Sequence, residues 1–221
     1  MKKTVYFTRH GETAGNVQDL VQDPNIPLSE KGIRQARLVA DRFLTLSVDL
    51  VLSSDYPRAV ETAEIIAAQC SVPHEQHLYF RERRGAKEVV GKPRLDPEVQ
   101  RIYKEMQKHK DDAEWRYSDE ENFYDLIARA KQALAFLEAL PGTTIVVVTH
   151  AIFLKHILSM IWSEKVTPEE FQNFRTTFRI ENTGIATCIL DSEHTIHTGW
   201  QIITWNDHAH LADPVVGKDA S

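Results

Sequence analysis

Two histidines and two arginines are the residues of this sequence whose types and placing suit a chemical step. His10 follows the β-branched and aromatic run Thr4-Val5-Tyr6-Phe7-Thr8-Arg9, His150 follows Thr144-Ile145-Val146-Val147-Val148-Thr149, and Arg58 stands directly after Pro57. A neutral imidazole is a nucleophile near pH 7, and two adjacent guanidinium groups disfavour its protonated form further. Phosphoryl transfer requires positioning and stabilisation of charge spread over three equatorial oxygens. Arginine serves that end, because its planar fork donates two hydrogen bonds to one phosphate and keeps its proton. His10 as nucleophile and Arg9 with Arg58 as clamp therefore make a coherent set. His150 and the backbone N–H groups of Ala151 and Ile152, where a helix begins, offer further donors to a phosphate oxygen. The departing alkoxide needs a proton and the phosphohistidine later needs an activated water; one carboxylic acid can serve both in turn.

These residues are far apart in sequence, so the fold must bring them together. The run 4–8 predicts a buried strand, and 144–149, continuous rather than alternating, predicts a central strand covered on both faces. Residues 49–53 read as another short strand, and 11–28, with two glycines and two prolines, as a loop. Ser29 opens a helix whose apolar positions run from Ile33 to Phe43, and Pro57 suits the first turn of the next. Residues 74–80 read as a third strand, 119–140 as a long helix ended by Pro141-Gly142, and 151–161 as another helix. Segments 176–181, 184–191 and 196–205 read as strands closing the sheet. Residues 81–118, basic at first and then a charged helix around 99–110, look like an inserted cap. The alternation of strands and helices predicts a three-layer α/β/α sandwich with a mostly parallel central sheet and a helical cap insertion. One domain over 1–212 is expected, with a flexible tail at 213–221. In such sheets ligands sit at the carboxyl ends of the strands, where His10 and His150 begin their loops.

The chain has 221 residues and a formal net charge of -6, with hydrophobic residues at 42% and charged residues at 26%. That balance gives no electrostatic reason to expect nucleic acid or an anionic membrane as partner. Any anionic substrate must be drawn by a local cluster of cations. Cys70 and Cys188 lie outside any CxxC pair, among apolar neighbours, and read as reduced core residues. The apolar stretch near the start is too short for a signal peptide and no segment reaches transmembrane length, so a cytoplasmic protein is expected. His208 and His210 lack a carboxylate or cysteine at ligand spacing, so neither a metal site nor a cofactor is expected. Oligomeric state is not readable.

The string Thr8-Arg9-His10-Gly11-Glu12-Thr13, with Asn16 soon after, resembles the signature of the histidine phosphatase superfamily, also called phosphoglycerate mutase-like. Pro27-Leu28-Ser29-Glu30-Lys31-Gly32, Ser53-Ser54-Asp55-Tyr56-Pro57-Arg58-Ala59-Val60-Glu61-Thr62-Ala63 and Val148-Thr149-His150 resemble its next three blocks, in order. The resemblance implies that His10 is phosphorylated, that Arg9, Arg58 and His150 bind the phosphoryl group, and that Asn16 and the Ala151 amide contribute to the pocket. It also implies that a glutamate opening the inserted segment is the general acid. Glu82 fits best, with Glu88 as rival, because Val90 rather than an acidic residue precedes Gly91. Arg83, Arg84 and Lys87 follow the acid and are expected to contact a second anionic group on the substrate. The expected activity is hydrolysis of a small phosphorylated metabolite without a metal. The alternative is phosphoglycerate mutase-type transfer, which the family's mutases accompany with longer inserted and C-terminal segments. A silent phosphate-binding protein is argued against by the intact Arg9, His10, Arg58 and His150.

Overall fold

In the computed structural model, residues 2–191, 193 and 199–211 are described; the expected tail at 213–221 lies outside them, as do His194, His197 and the start of the strand expected at 196–205. Eight-residue β1 (Lys2–Arg9) leads through a loop to the single-turn α1 (Ala14–Val17), then α2 (Glu30–Phe43), β2 (Leu50–Ser53), α3 (Pro57–Cys70) and β3 (His74–Gln76). The cap segment carries α4 (Pro97–Lys108). It is followed by α5 (Phe123–Ala139), β4 (Thr144–Thr149), α6 (Ala151–Trp162), α7 (Pro168–Thr177), β5 (Ile185–Asp191) and β6 (Trp200–Asp207). Ser29 caps α2 as its type suggests, accepting the Gly32 N–H at 3.0 Å.

The six strands form one sheet in the order β3-β2-β4-β1-β5-β6. β1, β2, β3 and β4 run parallel, and β5 and β6 complete the other side antiparallel. Alternate residues of the central strands enter different cores. Val5, Phe7, Ile145 and Val147 pack beneath α5 and α6, while Val146 and Val148 pack beneath α2 and α3. Helices on both faces are why these strands read as unbroken apolar runs. Residues 81–118 gather a small cluster of their own, in which Ala86, Val89, Val99 and Ile102 pack with Val21 from the loop after β1.

The register sets the site. Arg9 pairs with Thr149 and Ser53 with Val148, so the parallel strands β1, β2 and β4 end together. His10, Ser54 and His150 each leave the sheet at this one edge.

Three expectations need correction. The segment 176–181 is not a strand: α7 ends at Thr177 and the chain to Gly184 is irregular. Thr167 and Glu170 form a capping box that launches α7, and Phe171 and Phe174 bury against the core, so packing overrides the β-branched pair Thr176-Thr177. The expected strand 74–80 stops at Gln76, and a 3-10 turn, Leu78–Phe80, delivers Phe80 to the core. The loop 11–28 contains α1, held by a reciprocal cap between Thr13 and Asn16.

Candidate active site

His10 is 3% exposed, and its ring is fixed by two contacts. Its Nδ1 lies 2.7 Å from the Gly11 carbonyl, and Arg58 Nε donates to Nε2 at 3.2 Å. A carbonyl accepts only, so Nδ1 carries the proton and Nε2 the lone pair. Burial, then Arg58, then Arg9, hold this imidazole well below its ordinary titration range, against the pull of the Gly11 carbonyl. The ring is therefore neutral near pH 7, with its lone pair aimed at a guanidinium.

The loop carrying His10 is held by close backbone packing. A Cβ on Gly11 would lie 2.5 Å from the Gly32 carbonyl oxygen, and one on Gly32 would lie 2.1 Å from that of Glu12. Only glycine fits at either place. The Gly11 N–H donates to Thr62 at 3.1 Å, and Thr62 in turn donates to the Arg58 carbonyl at 2.7 Å, which ties the His10 loop to the helix bearing the arginine.

Arg58, 1% exposed, also donates through Nη1 to the carbonyls of Asp23 and Pro24, both at 3.1 Å. It reaches across the site from the first turn of α3, and the Tyr56 ring lies 5.1 Å from its Cζ. Arg9 donates Nη1 to the Ile180 carbonyl at 2.9 Å, and burial lowers its titration to about 10, which leaves it fully charged at neutral pH. His150 is wholly buried, 5.1 Å from His10 between ring centres, and Ser54 Oγ lies 2.7 Å from its Nε2. Arg9 Nε and His150 Nδ1 are buried without a hydrogen-bond partner among the described residues. Unpaired buried donors and acceptors are costly, and at this corner a tetrahedral anion is the partner that would satisfy them.

Glu82 reaches the same corner from the segment after β3. Its carboxylate accepts the N–H groups of Ile152 at 3.2 Å, Phe153 at 3.0 Å and Arg83 at 2.8 Å. It caps α6, whose own N-cap residue, His150, makes no side-chain cap. This alters one expectation: the Ile152 amide, expected to meet a phosphate oxygen, is already given to Glu82, and among the described residues the Ala151 amide has no such partner. Glu88 is elsewhere, accepting Ser118 Oγ at 2.7 Å. Asn16 turns its Oδ1 to the Thr13 N–H at 3.1 Å and to Asn182 at 3.4 Å.

Arg83 lines a cavity beside this corner, but Arg84 and Lys87 are not brought to it. Arg84 is turned outward, donating Nε to the Asp119 carbonyl at 2.5 Å, and Lys87 is exposed next to Asp119. Three further residues brace the site: Ser54 meets the His150 ring, Asn182 the His10 backbone, and Thr62 the neighbouring Gly11 amide and Arg58 carbonyl. Ser54 and Thr62 stand within Ser53–Ala63, where small hydroxyl residues carry no signal of their own beside Arg58. Asn182, which donates to the His10 carbonyl at 2.9 Å, sits in a short Asn-Thr-Gly turn whose only signal was its turn chemistry.

A doubly covered α/β sheet with two histidines and two arginines at one strand edge has the chemistry to bind a phosphoryl group. The pattern of the histidine phosphatase superfamily (branch 1) matches residues 5–208, and the chain belongs to that superfamily. It is similar to the probable phosphoglycerate mutase GpmB of Yersinia pestis (strain Pestoides F), at 31% identity over 217 residues, covering 97% of each chain. Among solved structures it is similar to Bacillus stearothermophilus YhfR (TM-score 0.79, 24% identity, 95% of this chain and 99% of that one). It is also similar to phosphoserine phosphatase from Entamoeba histolytica in complex with 3-phosphoglyceric acid (TM-score 0.77, 23% identity, 95% and 99%).

Proposed function

We propose that the protein is a phosphatase that hydrolyses a small phosphomonoester through a phosphohistidine at His10. The contact between Arg58 Nε and His10 Nε2 at 3.2 Å carries this reading, because it puts a permanent cation where an attacked phosphoryl group would stand. The incoming phosphoryl group takes the Arg58 N–H away from the lone pair and accepts it on oxygen. Arg9, His150 and Asn16 hold the remaining oxygens with the Ala151 amide. Nε2 bonds to phosphorus as the bond to the substrate oxygen breaks, and Glu82, protonated for this step, gives its proton to that oxygen. Glu82 then takes a proton from water, the water oxygen bonds to phosphorus, and the phosphorus–nitrogen bond breaks. Phosphate, neutral His10 and protonated Glu82 result. Arg9 and Arg58 supply the positive charge that a metal supplies in other phosphatases, so turnover persists in EDTA. In this reading residues 1–212 form one domain and 81–118 its cap, and a phosphorylated metabolite of the cytoplasm is the substrate.

The test is release of phosphate from para-nitrophenyl phosphate by the purified protein and by His10→Ala. The variant loses turnover; undiminished release from it would overturn the proposal.

The second reading is phosphoglycerate mutase-type transfer, favoured by the name of the Yersinia relative. That relative matches over 97% of both chains, so length does not separate this chain from it. Hydrolysis is preferred because the neighbouring cavity is rimmed by exposed Arg94 and Gln107, which gives water a path that a mutase must deny. Interconversion of phosphoglycerates, dependent on a bisphosphate primer and without phosphate release, would select the mutase.

A further inference from the structure

A chain of net charge -6 gathers cations at one place beside the phosphoryl corner. A cavity of about 260 Å³ opens there, close to the lower end (~300 Å³) of pockets that take drug-sized ligands. It adjoins Glu82 on two sides, since Arg83 follows Glu82 in the chain and Ile152 donates its N–H to Glu82; both line the cavity. Arg175 enters from α7, and Arg94 and Tyr103 enter from the cap.

The charges there do not cancel. The acids that line the cavity are already engaged. Glu120 accepts the N–H groups of Tyr117 and Ser118, and Glu121 is paired with Arg129 at 2.8 Å. Arg83 and Arg175 have no carboxylate partner among the described residues. Arg94 touches Asp19 at 3.2 Å, both side chains being largely exposed. Burial lowers the titration of Arg175, and repulsion from Arg83 and Arg94 adds to it. Lys155 lies between this cluster and the phosphoryl corner, close enough to feel Arg175, Arg9 and Glu82, and burial brings its titration down to about 8.

The walls between the cations are flat and apolar. Trp115 stacks on His109 at 4.3 Å, and His156 stacks on Phe171 at 3.8 Å. The Tyr103 hydroxyl, near Arg175, is buried without a hydrogen-bond partner among the described residues. A bare phosphate or a short alcohol would leave both the cations and these walls unused.

We infer that the cavity receives the alcohol portion of the substrate, and that this portion carries its own carboxylate or second phosphate on a body with planar apolar surface. The inference deepens the phosphatase reading and rests on it. The second anion meets Arg83 and Arg175 with Arg94 at the rim, and the planar body lies between the aromatic walls.

The test separates binding from turnover. Benzylphosphonate and 4-carboxybenzylphosphonate cannot be hydrolysed and differ only in a carboxylate remote from phosphorus. Calorimetry on the whole protein is expected to show the carboxylated compound binding about tenfold tighter, the worth of one charge-assisted hydrogen bond. Arg175→Gln, and independently Arg83→Gln should the first variant fold poorly, reduces that ratio to about one. The matching phosphate esters are then assayed for free phosphate, with 3-phosphoglycerate as a dianion lacking the planar body. The expected order is 4-carboxybenzyl phosphate first. Equal affinity of the two phosphonates for the wild-type protein, or a ratio unmoved in both variants, overturns the inference even if esters are hydrolysed. A kept preference with no hydrolysis of any ester sinks the phosphatase reading and leaves the anion-selective cavity standing.

Discussion

Acid should unfold this protein from an unusual direction, through its histidines. His10, His150 and His156 are each at most 3% exposed, and all three titrate below the ordinary imidazole range. His156 is the best reporter. Burial pushes it to about 3 even though its Nδ1–H is given to the Ile152 carbonyl at 2.9 Å, with Arg83, Arg129 and Arg175 adding repulsion. In the unfolded chain its value returns to about 6.5. Between the two values the unfolded chain binds a proton that the folded chain refuses, so stability is complete above about 6.5 and falls as pH falls, by about 1.4 kcal/mol per pH unit for each such histidine. Moving from pH 7.5 to 5.0 crosses about 1.5 of those units. His156 then removes about 2 kcal/mol out of a total stability of ~5–15 kcal/mol, and His10 and His150, lowered for the same reason, act in the same direction. Urea unfolding followed by circular dichroism at the two pH values measures the loss. His156→Leu gives up the Ile152 hydrogen bond and the stack on Phe171, a cost that does not depend on pH, but it should lose about 2 kcal/mol less than wild type on acidification. A wild-type protein equally stable at both pH values, or a variant with an unchanged pH slope, would refute the reasoning.

Gly32→Ala, on a helix away from any substrate, should cost about 2 kcal/mol by driving a methyl group into the Glu12 carbonyl; a fall in both melting temperature and kcat checks it. Lys3→Met removes a 1%-exposed ammonium that donates to the carbonyls of Leu137, Glu138 and Leu140 at the end of α5. Leaving those carbonyls unpaired should cost about 2 kcal/mol and lower the melting temperature by about 4–8 °C in calorimetry. Glu82→Gln should slow phosphate release at least about a hundredfold, whereas Glu88→Gln, held by Ser118 away from the corner, should leave it within about twofold; the reverse pattern in steady-state kinetics would reassign the acid.

The elements that carry His10 and His150 were legible because both strands are buried on two faces, and that burial writes an unbroken apolar run into the sequence. Arg58 was legible for a different reason: alone on a helix it reads as a solvated charge, and only its place in a matching block set it apart. The helix α7 was missed although Thr167-Pro168-Glu169-Glu170 spells a capped start, because the β-branched pair at its end outweighed the cap. Arg175 lies in the same helix, between the helix expected at 151–161 and the strand expected at 176–181, where no local pattern distinguishes it from a solvated charge. Glu82 was found as a candidate acid, but no local pattern could say that its carboxylate would close a helix 70 residues further along the chain.

The strand that leads into His10 is nearly the first thing in the chain and sits in the middle of the sheet. Its two neighbours come late: Thr4 lies beside Thr144, and Lys2 beside Asp191. During synthesis the His10 segment is therefore made early and must wait for most of the remaining chain before either flank of its strand is covered. Loop closures of that span are slow relative to local helix formation. The corner around His10 is accordingly among the last parts to be completed, so a partly made or C-terminally shortened chain would hold His10 on an open strand edge, prone to pairing with another molecule.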